Sequence, residues 1–180
     1  MSSPGEAAEF EVLYQEQAPR VLAFCLRRAD RTGAEDAMAE TFAVAWRRRH
    51  DLPNPALPWL LGVARRVLAN QRRARRRQER LGERLSVVPP ADPNERFDIG
   101  VYDALRSLPP RDREVLVLAA WDELHAAEAA QVLGCSTTAY RLRLHRARRR
   151  FAHLLADANP TEEAPRRSAP VDVSVEEMTR

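Results

Sequence analysis

Residues 126–155 read AAEAAQVLGCSTTAYRLRLHRARRRFAHLL, and this stretch decides the fold. Ala129-Ala130, Gly134 and Tyr140 stand where two helices crossing at a tight turn need them. A small residue lets the helices approach, glycine takes the turn, and an apolar residue packs the second helix back. Gly134 is a natural left-handed C-cap, and Ser136 suits the N-cap of the helix that follows. That helix repeats Tyr140, Leu144, Ala147, Phe151, Leu154 and Leu155 at helical spacing. Its outward positions include Thr137, Thr138, Arg141, His145 and Arg148, residue types suited to phosphates and guanine edges. On spacing alone an ordinary helical hairpin also fits. The arginines weigh toward a DNA-reading helix-turn-helix, because solvated helix faces normally mix both signs of charge.

Working outward, charge is the next signal. All 29 basic residues are Arg, and Lys is absent. Between Arg65 and Arg84 nine Arg face two Glu, and between Arg141 and Arg150 six Arg stand without an acid. The rest of the chain is net acidic, so the overall +3 conceals two basic blocks. A genome favouring Arg codons accounts for the missing Lys but not for the clustering. Two blocks on an acidic body suggest two separate contacts with a polyanion.

Proline divides the chain: residues 20–52, 59–88, 94–108 and 111–159 contain none. These stretches are rich in Ala, Leu, Arg and Glu, good helix formers, and show no convincing strand alternation. The fold expected is all-α, in two small helical domains joined by a flexible linker. The first domain spans about 8–82. In it Phe10, Leu13 and Tyr14 form an apolar stripe, and Pro19 suits the first turn of a helix continuing through Val21, Leu22, Cys25 and Leu26. Thr32 and Glu35 fit a capping box opening a helix to about Arg48. The loop His50–Pro55 is too proline-rich to be helical. Trp59, Leu60, Val63, Ala64, Val67 and Leu68 then form one apolar face, with the first Arg block on the other side and beyond it. Residues 83–99 read as a linker. The second domain, 100–156, holds short helices around Val101–Leu108, from Pro110 and over 125–133 before the last helix. The tail 157–180, with its prolines and acids, is expected to be disordered.

The excluded classes are informative. Cys25 and Cys135 make neither a disulfide framework nor a CxxC pair, which favours a reducing, cytoplasmic setting. No apolar run approaches the roughly 20 residues that span a bilayer, so no membrane insertion is expected. The acidic N-terminus does not read as a signal peptide. His50, His125, His145 and His153 show no ligand spacing, so neither metal nor cofactor is expected. Trp46 and Trp59 read as core. No catalytic constellation is supported by context.

Four segments carry a resemblance. Glu35–Trp46 (EDAMAETFAVAW) resembles aeDl.QetFl.aw, and Pro58–Arg66 (PWLLGVARR) resembles WL..iArN. Ala104–Leu116 (ALRSLPPRDREVL) resembles al..Lp.r.revl, and Ala139–Arg148 (AYRLRLHRAR) resembles TVksRlhRAr. In this order and spacing they resemble RNA polymerase sigma factors of the extracytoplasmic-function (ECF) type over about residues 10–156. The chain departs from that pattern at Ala39 (often Gln), Arg66 (Asn), Asn70 (Asp), His125 (Ser or Thr) and Tyr140 (Val).

The resemblance implies a non-enzymatic bacterial transcription initiation factor that binds core RNA polymerase and promoter DNA. It also implies a place for an anti-sigma factor. Region two, the first domain, would dock on the polymerase clamp and help melt the minus-ten element. Region four, the helix-turn-helix, would read the minus-thirty-five element as duplex. The residues assigned to minus-thirty-five are Thr137, Thr138, Arg141, Arg143, His145, Arg146 and Arg148. Those assigned to minus-ten are Asn54, Arg65, Arg72, Arg73 and Arg76, the four arginines sharing one helical stripe. Asp36, Glu40 and Phe42 are assigned to the polymerase surface, with Thr41 beside them. The rival reading is a stand-alone helix-turn-helix regulator. A metal-dependent nuclease using Asp36 and Glu40 is the more distant one.

Overall fold

The computed structural model describes residues 4–80, 99–122 and 124–158. Among them are seven α-helices and one short 3-10 turn. The helices are α1 (Pro4–Leu26), α2 (Arg31–Arg47), α3 (Leu57–Arg80), α4 (Ile99–Ser107), α5 (Pro110–Trp121), α6 (Ala126–Leu133) and α7 (Thr137–Ala158). The expected linker falls almost wholly outside the described residues, as does the tail beyond residue 158. Within them the all-helical, two-unit expectation holds: α1–α3 form the first unit and α4–α7 the second.

Two helix starts differ from the sequence expectation. Pro19 opens no helix; it lies inside α1. A proline there removes its own N–H bond to the Gln15 carbonyl and crowds that carbonyl with its ring. Both residues are exposed, so water can satisfy that carbonyl. The cap of α2 is Asp30, not Thr32: Gly33 N–H donates to Asp30 Oδ1 at 3.2 Å. Thr32 is already within the first turn. Glu35 pairs instead with Arg31, one turn back, at 3.1 Å.

The second unit follows its sequence signals closely. Pro110 occupies the first turn of α5. At the head of α6, Glu128 Oε2 accepts from the His125 N–H at 2.7 Å. Gly134 takes φ 65°, ψ 42°, a left-handed cap favourable to glycine. Its N–H donates to Gln131 O and that of Cys135 to Ala130 O, closing the turn. Ser136 Oγ accepts from Ala139 N–H at 3.2 Å, capping α7. The last helix runs on to Ala158, past its expected end.

The core lies mainly where α1, α2 and α3 meet. Val21, Phe24, Cys25, Ala34, Ala37, Ala45, Leu60, Leu61 and Ala64 are buried there. Burial raises the Cys25 thiol to about 11. The same contiguous cluster includes Val115, Leu118, Ala129, Ala130, Val132 and Tyr140 of the second unit. A separate core made by the second unit alone holds only Leu108, Leu116 and Ala147 as buried members. The two units are therefore packed on one another, with α6 lying against α3.

Candidate nucleic-acid interface

The turn between α6 and α7 fixes how α7 is presented. Tyr140 and Ala147 are buried and Leu144 is half-buried, so the residues opposite them face solvent. At 3.6 residues per turn the centre of that outer face is Thr138, Leu142, His145 and Arg149. All four are exposed. Arg141 and Arg148 flank it on one side, and Arg143 and Arg146 on the other. Thr137 sits closer to the packed side and is half-buried. The sequence assignment missed Leu142 and Arg149. A helical wheel centred on Tyr140 and Ala147 would have found both.

Electrostatics separate this face from ordinary surface. Arg141, Arg143, Arg146, Arg148 and Arg149 form no ion pair with any described residue. Only Arg150, at the far end, is paired, with Asp112. A row of uncompensated guanidiniums repels itself in isolation. Such a row suits a surface whose counter-charge arrives with a partner.

In the first unit, Arg72, Arg73 and Arg76 are exposed on α3. Arg72 donates to the Arg28 carbonyl at 3.1 Å, and Arg73 to Asn70 Oδ1 at 2.8 Å. Neither bond neutralises charge, so both guanidiniums remain available to phosphate. Arg65 differs. Its Nε and Nη2 reach Glu114 Oε1 and Oε2 at 2.7 and 3.0 Å, a bidentate pair across the two units. The carboxylate of Glu114 holds the Arg65 pKa above its ordinary value. The sequence places Arg65 in one stripe with Arg72, Arg73 and Arg76, but the tertiary fold turns it onto the second unit.

Ahead of α3, the 3-10 turn Arg49–Asp51 gives way to the non-helical stretch to Ala56, where Asn54 is exposed. This loop, with α1, lines an open hollow of about 390 Å³. Asn54, Leu57, Gln17 and Arg20 form part of its wall, and Glu128 of α6 reaches its rim.

The expected polymerase surface needs one correction. Asp36 and Glu40 are exposed on α2, as that role requires. Phe42 is only 5% exposed. Its ring packs edge-on against Phe10 and Tyr14, at centroid distances of 6.4 and 4.7 Å. It is a core residue, not an exposed anchor, because it falls on the same face of α2 as Ala34, Ala37 and Ala45. Thr41 is fully buried as well, and its hydroxyl donates to Ala37 O at 2.7 Å. Tyr14, 40% exposed, and Val12, 55% exposed, are the large apolar side chains that α1 shows to solvent.

A glycine-turned helix pair carrying unpaired arginines, joined to a second helical unit with its own basic helix, is an arrangement suited to binding a polyanion such as DNA. Comparison with known proteins narrows the class. Residues 13–78 match Sigma-70 region 2, and residues 100–151 match Sigma-70, region 4. The chain is 30% identical over 170 residues to the ECF RNA polymerase sigma factor SigL of Mycobacterium tuberculosis, covering 89% of this chain and 96% of that protein. It is 30% identical over 150 residues to the RNA polymerase sigma-E factor of Streptomyces coelicolor, covering 79% and 84%. A match to the probable sigma factor RfaY of Xanthomonas campestris, 31% identical over 132 residues, spans 66% of this chain but 33% of that longer protein.

Among solved structures, the sigma factor RpoE of Bartonella quintana in complex with the anti-sigma factor NepR shares the fold. Its TM-score is 0.64 at 24% identity, over 82% of this chain and 96% of that one. CnrH in complex with the cytosolic domain of CnrY aligns with a TM-score of 0.55 at 26% identity, over 83% and 88%. The chain belongs to the sigma-70 family, as an ECF-type RNA polymerase sigma factor. It is a non-enzymatic initiation factor that directs RNA polymerase to promoters, with a DNA-binding helix-turn-helix in region four. No helix among the described residues is long and apolar enough to cross a membrane.

Proposed function

We propose that the two units divide promoter recognition between them. The outer face of α7 reads the minus-thirty-five element in the major groove. The observation that carries this is the run of exposed, unpaired arginines opposite the Tyr140/Ala147 packing face. Arg141 and Arg149 reach base edges or phosphates, and Thr138 and His145 supply shorter polar contacts. Leu142 presents the apolar surface that a thymine methyl accepts. Arg143, Arg146 and Arg148 hold the flanking backbone.

Region two reads the minus-ten element as single strand. Arg72, Arg73 and Arg76 track its phosphates, and Asn54 at the hollow hydrogen-bonds an extruded base. Extrusion costs a few kcal/mol, which an isolated chain has little means to offset. Strand opening therefore needs core polymerase, which binds region two through a surface that includes Asp36 and Glu40. The solved relatives bound to NepR and to CnrY support an anti-sigma factor as a further partner of this chain.

The test is in vitro transcription from a promoter library with core polymerase, with and without this chain. Selected promoters carrying two separated conserved elements support the reading. If the chain binds an operator alone and never co-purifies with core polymerase, the stand-alone regulator replaces it.

A further inference from the structure

We infer that Gln17, on α1, reads the edge of the base extruded from the minus-ten element and selects a base that carries an exocyclic amine, against thymine. This rests on the division of promoter recognition proposed above. Leu13, Glu16, Gln17 and Arg20 fall on one stripe of α1, because three- and four-residue spacings bring side chains to the same face. Opposite that stripe runs the non-helical stretch from Leu52 to Ala56, and the two enclose the hollow of about 390 Å³. Its volume lies within the roughly 300–1,000 Å³ of sites that take small ligands. Apart from Glu128 at the rim, every residue lining it belongs to region two.

The lining divides by chemistry. Leu13, Leu52, Pro53, Pro55 and Leu57 offer apolar surface to the faces of a flat ring. Polar groups come from two sides: Asn54 from the loop, Glu16 and Gln17 from α1. Gln17 is the unusual one. Its Oε1 is buried and accepts no hydrogen bond. Nearly all buried polar atoms in folded proteins are paired, so an orphaned acceptor beside an open hollow marks a place for an incoming donor. The terminal amide torsion is soft, and its rotation turns that oxygen to a ring edge in the hollow.

Glu16 decides which edge fits. It is exposed and forms no ion pair with any described residue. An ionised carboxylate only accepts. Oε1 of Gln17 and the Glu16 carboxylate together therefore call for an edge with at least two N–H groups. Adenine and cytosine supply both from one amine, and guanine supplies them from its amine and the neighbouring ring N–H. Thymine has a single ring N–H between two carbonyls, so its oxygens would face the protein's oxygens. Arg20, the cation of the stripe, bonds the neutral Asp122 carbonyl at 3.4 Å and keeps its charge for the phosphate of the extruded nucleotide.

The full-length chain with core polymerase provides the test. Transcription from a library randomised across the minus-ten element should show one position at which thymine is disfavoured about tenfold, the size of one good base contact. Gln17→Leu should flatten that position to within twofold and leave the others unchanged, which also shows that the variant folds. The preferred base is then replaced by its analogue without the amine: purine for adenine, pyrimidin-2-one for cytosine or hypoxanthine for guanine. Permanganate-detected strand opening should fall about tenfold with the wild-type chain and less than twofold with Gln17→Leu, because amine and amide form one interaction. Gln17→Glu, which keeps an acceptor at the same reach, should retain the preference. No position that disfavours thymine, or equal loss from the analogue in both chains, would overturn the proposal. A Gln17→Leu chain weakened alike at every position overturns it too, since Gln17 would then serve the fold and not base choice. A wild-type chain that directs transcription from no library member strikes instead at the underlying functional reading.

Discussion

The two units use the same residue type to opposite ends. On α7, five arginines stand unpaired on the outside of a helix whose inside is apolar. Just past the end of α1 and on α3, Arg27, Arg28 and Arg65 are bound to carboxylates of the other unit. Arg28 is the extreme case. Its guanidinium lies 3.6 Å from the Phe24 ring centroid, and burial lowers its pKa against the opposing pull of Asp122. The units also differ in how they are held together. Region two has a broad core of its own, whereas region four lends six of its buried residues to that core and keeps a small one of three. An arginine block is thus a binding surface only where no carboxylate has claimed it, and a unit drawn from sequence need not be independent in stability.

The largest effect expected concerns that dependence. Leu60→Ala, at a fully buried site, should cost about 2–5 kcal/mol in urea unfolding. Because the cluster is shared, hydrogen exchange should quicken in α5 and α6 as well as in α1–α3. Leu116→Ala should cost about 2 kcal/mol, at the low end of the same range, and quicken exchange in α4, α5 and α7 only. Region four protection that ignores Leu60→Ala breaks the comparison.

Next come the arginines. Arg149→Ala or Arg141→Ala should weaken minus-thirty-five binding by about 1–3 kcal/mol if the side chain reads a base, relaxing preference at one position. A purely phosphate contact would instead lower the slope of affinity against salt by about 0.9 without altering preference. Electrophoretic titration on variant duplexes at several salt concentrations separates the two. Arg72→Ala with Arg73→Ala should reduce permanganate-detected strand opening more than closed-complex formation, since these arginines are assigned to the melted strand. Normal opening by that pair would remove α3 from minus-ten reading.

Helix caps sharpen the comparison further. Asp30→Ala and Ser136→Ala should each cost about 1 kcal/mol. The first should lower the melting temperature of the whole chain, and the second should mostly fray the start of α7 and weaken duplex binding. Thiol chemistry gives the smallest effect. Buried Cys25 should react with a thiol reagent far more slowly than half-buried Cys135 in the native chain. Its raised pKa also has a defined pH signature. The unfolded thiol loses its proton near 9.0 and the folded one only near about 11, so this contribution to stability is complete below pH 9.0 and is lost as pH rises toward about 11. Cys25→Ala should remove that slope.

Much of the molecule was legible in the residues themselves. Gly134 had to end a helix, because its position calls for a left-handed backbone. Ser136 had to begin one, and Pro110 suited a first turn. Tyr140, Leu144 and Ala147 set which side of α7 faces in. These are local properties, governed by sterics, backbone hydrogen bonding and periodicity within a few residues, so the chain determines them without help. Only the tertiary structure decided the rest. Phe42 turned inward because Phe10 and Tyr14 of another helix were there to receive it. Helix α1 ran through Pro19 because packing and solvent together outweighed one lost hydrogen bond. Arg65 left its stripe for Glu114, and Asp122 drew in Arg27 and Arg28, across separations of 49, 95 and 94 residues. Charge pairing and burial depend on which surfaces meet in space, and residues so far apart in the chain meet only once the fold has formed.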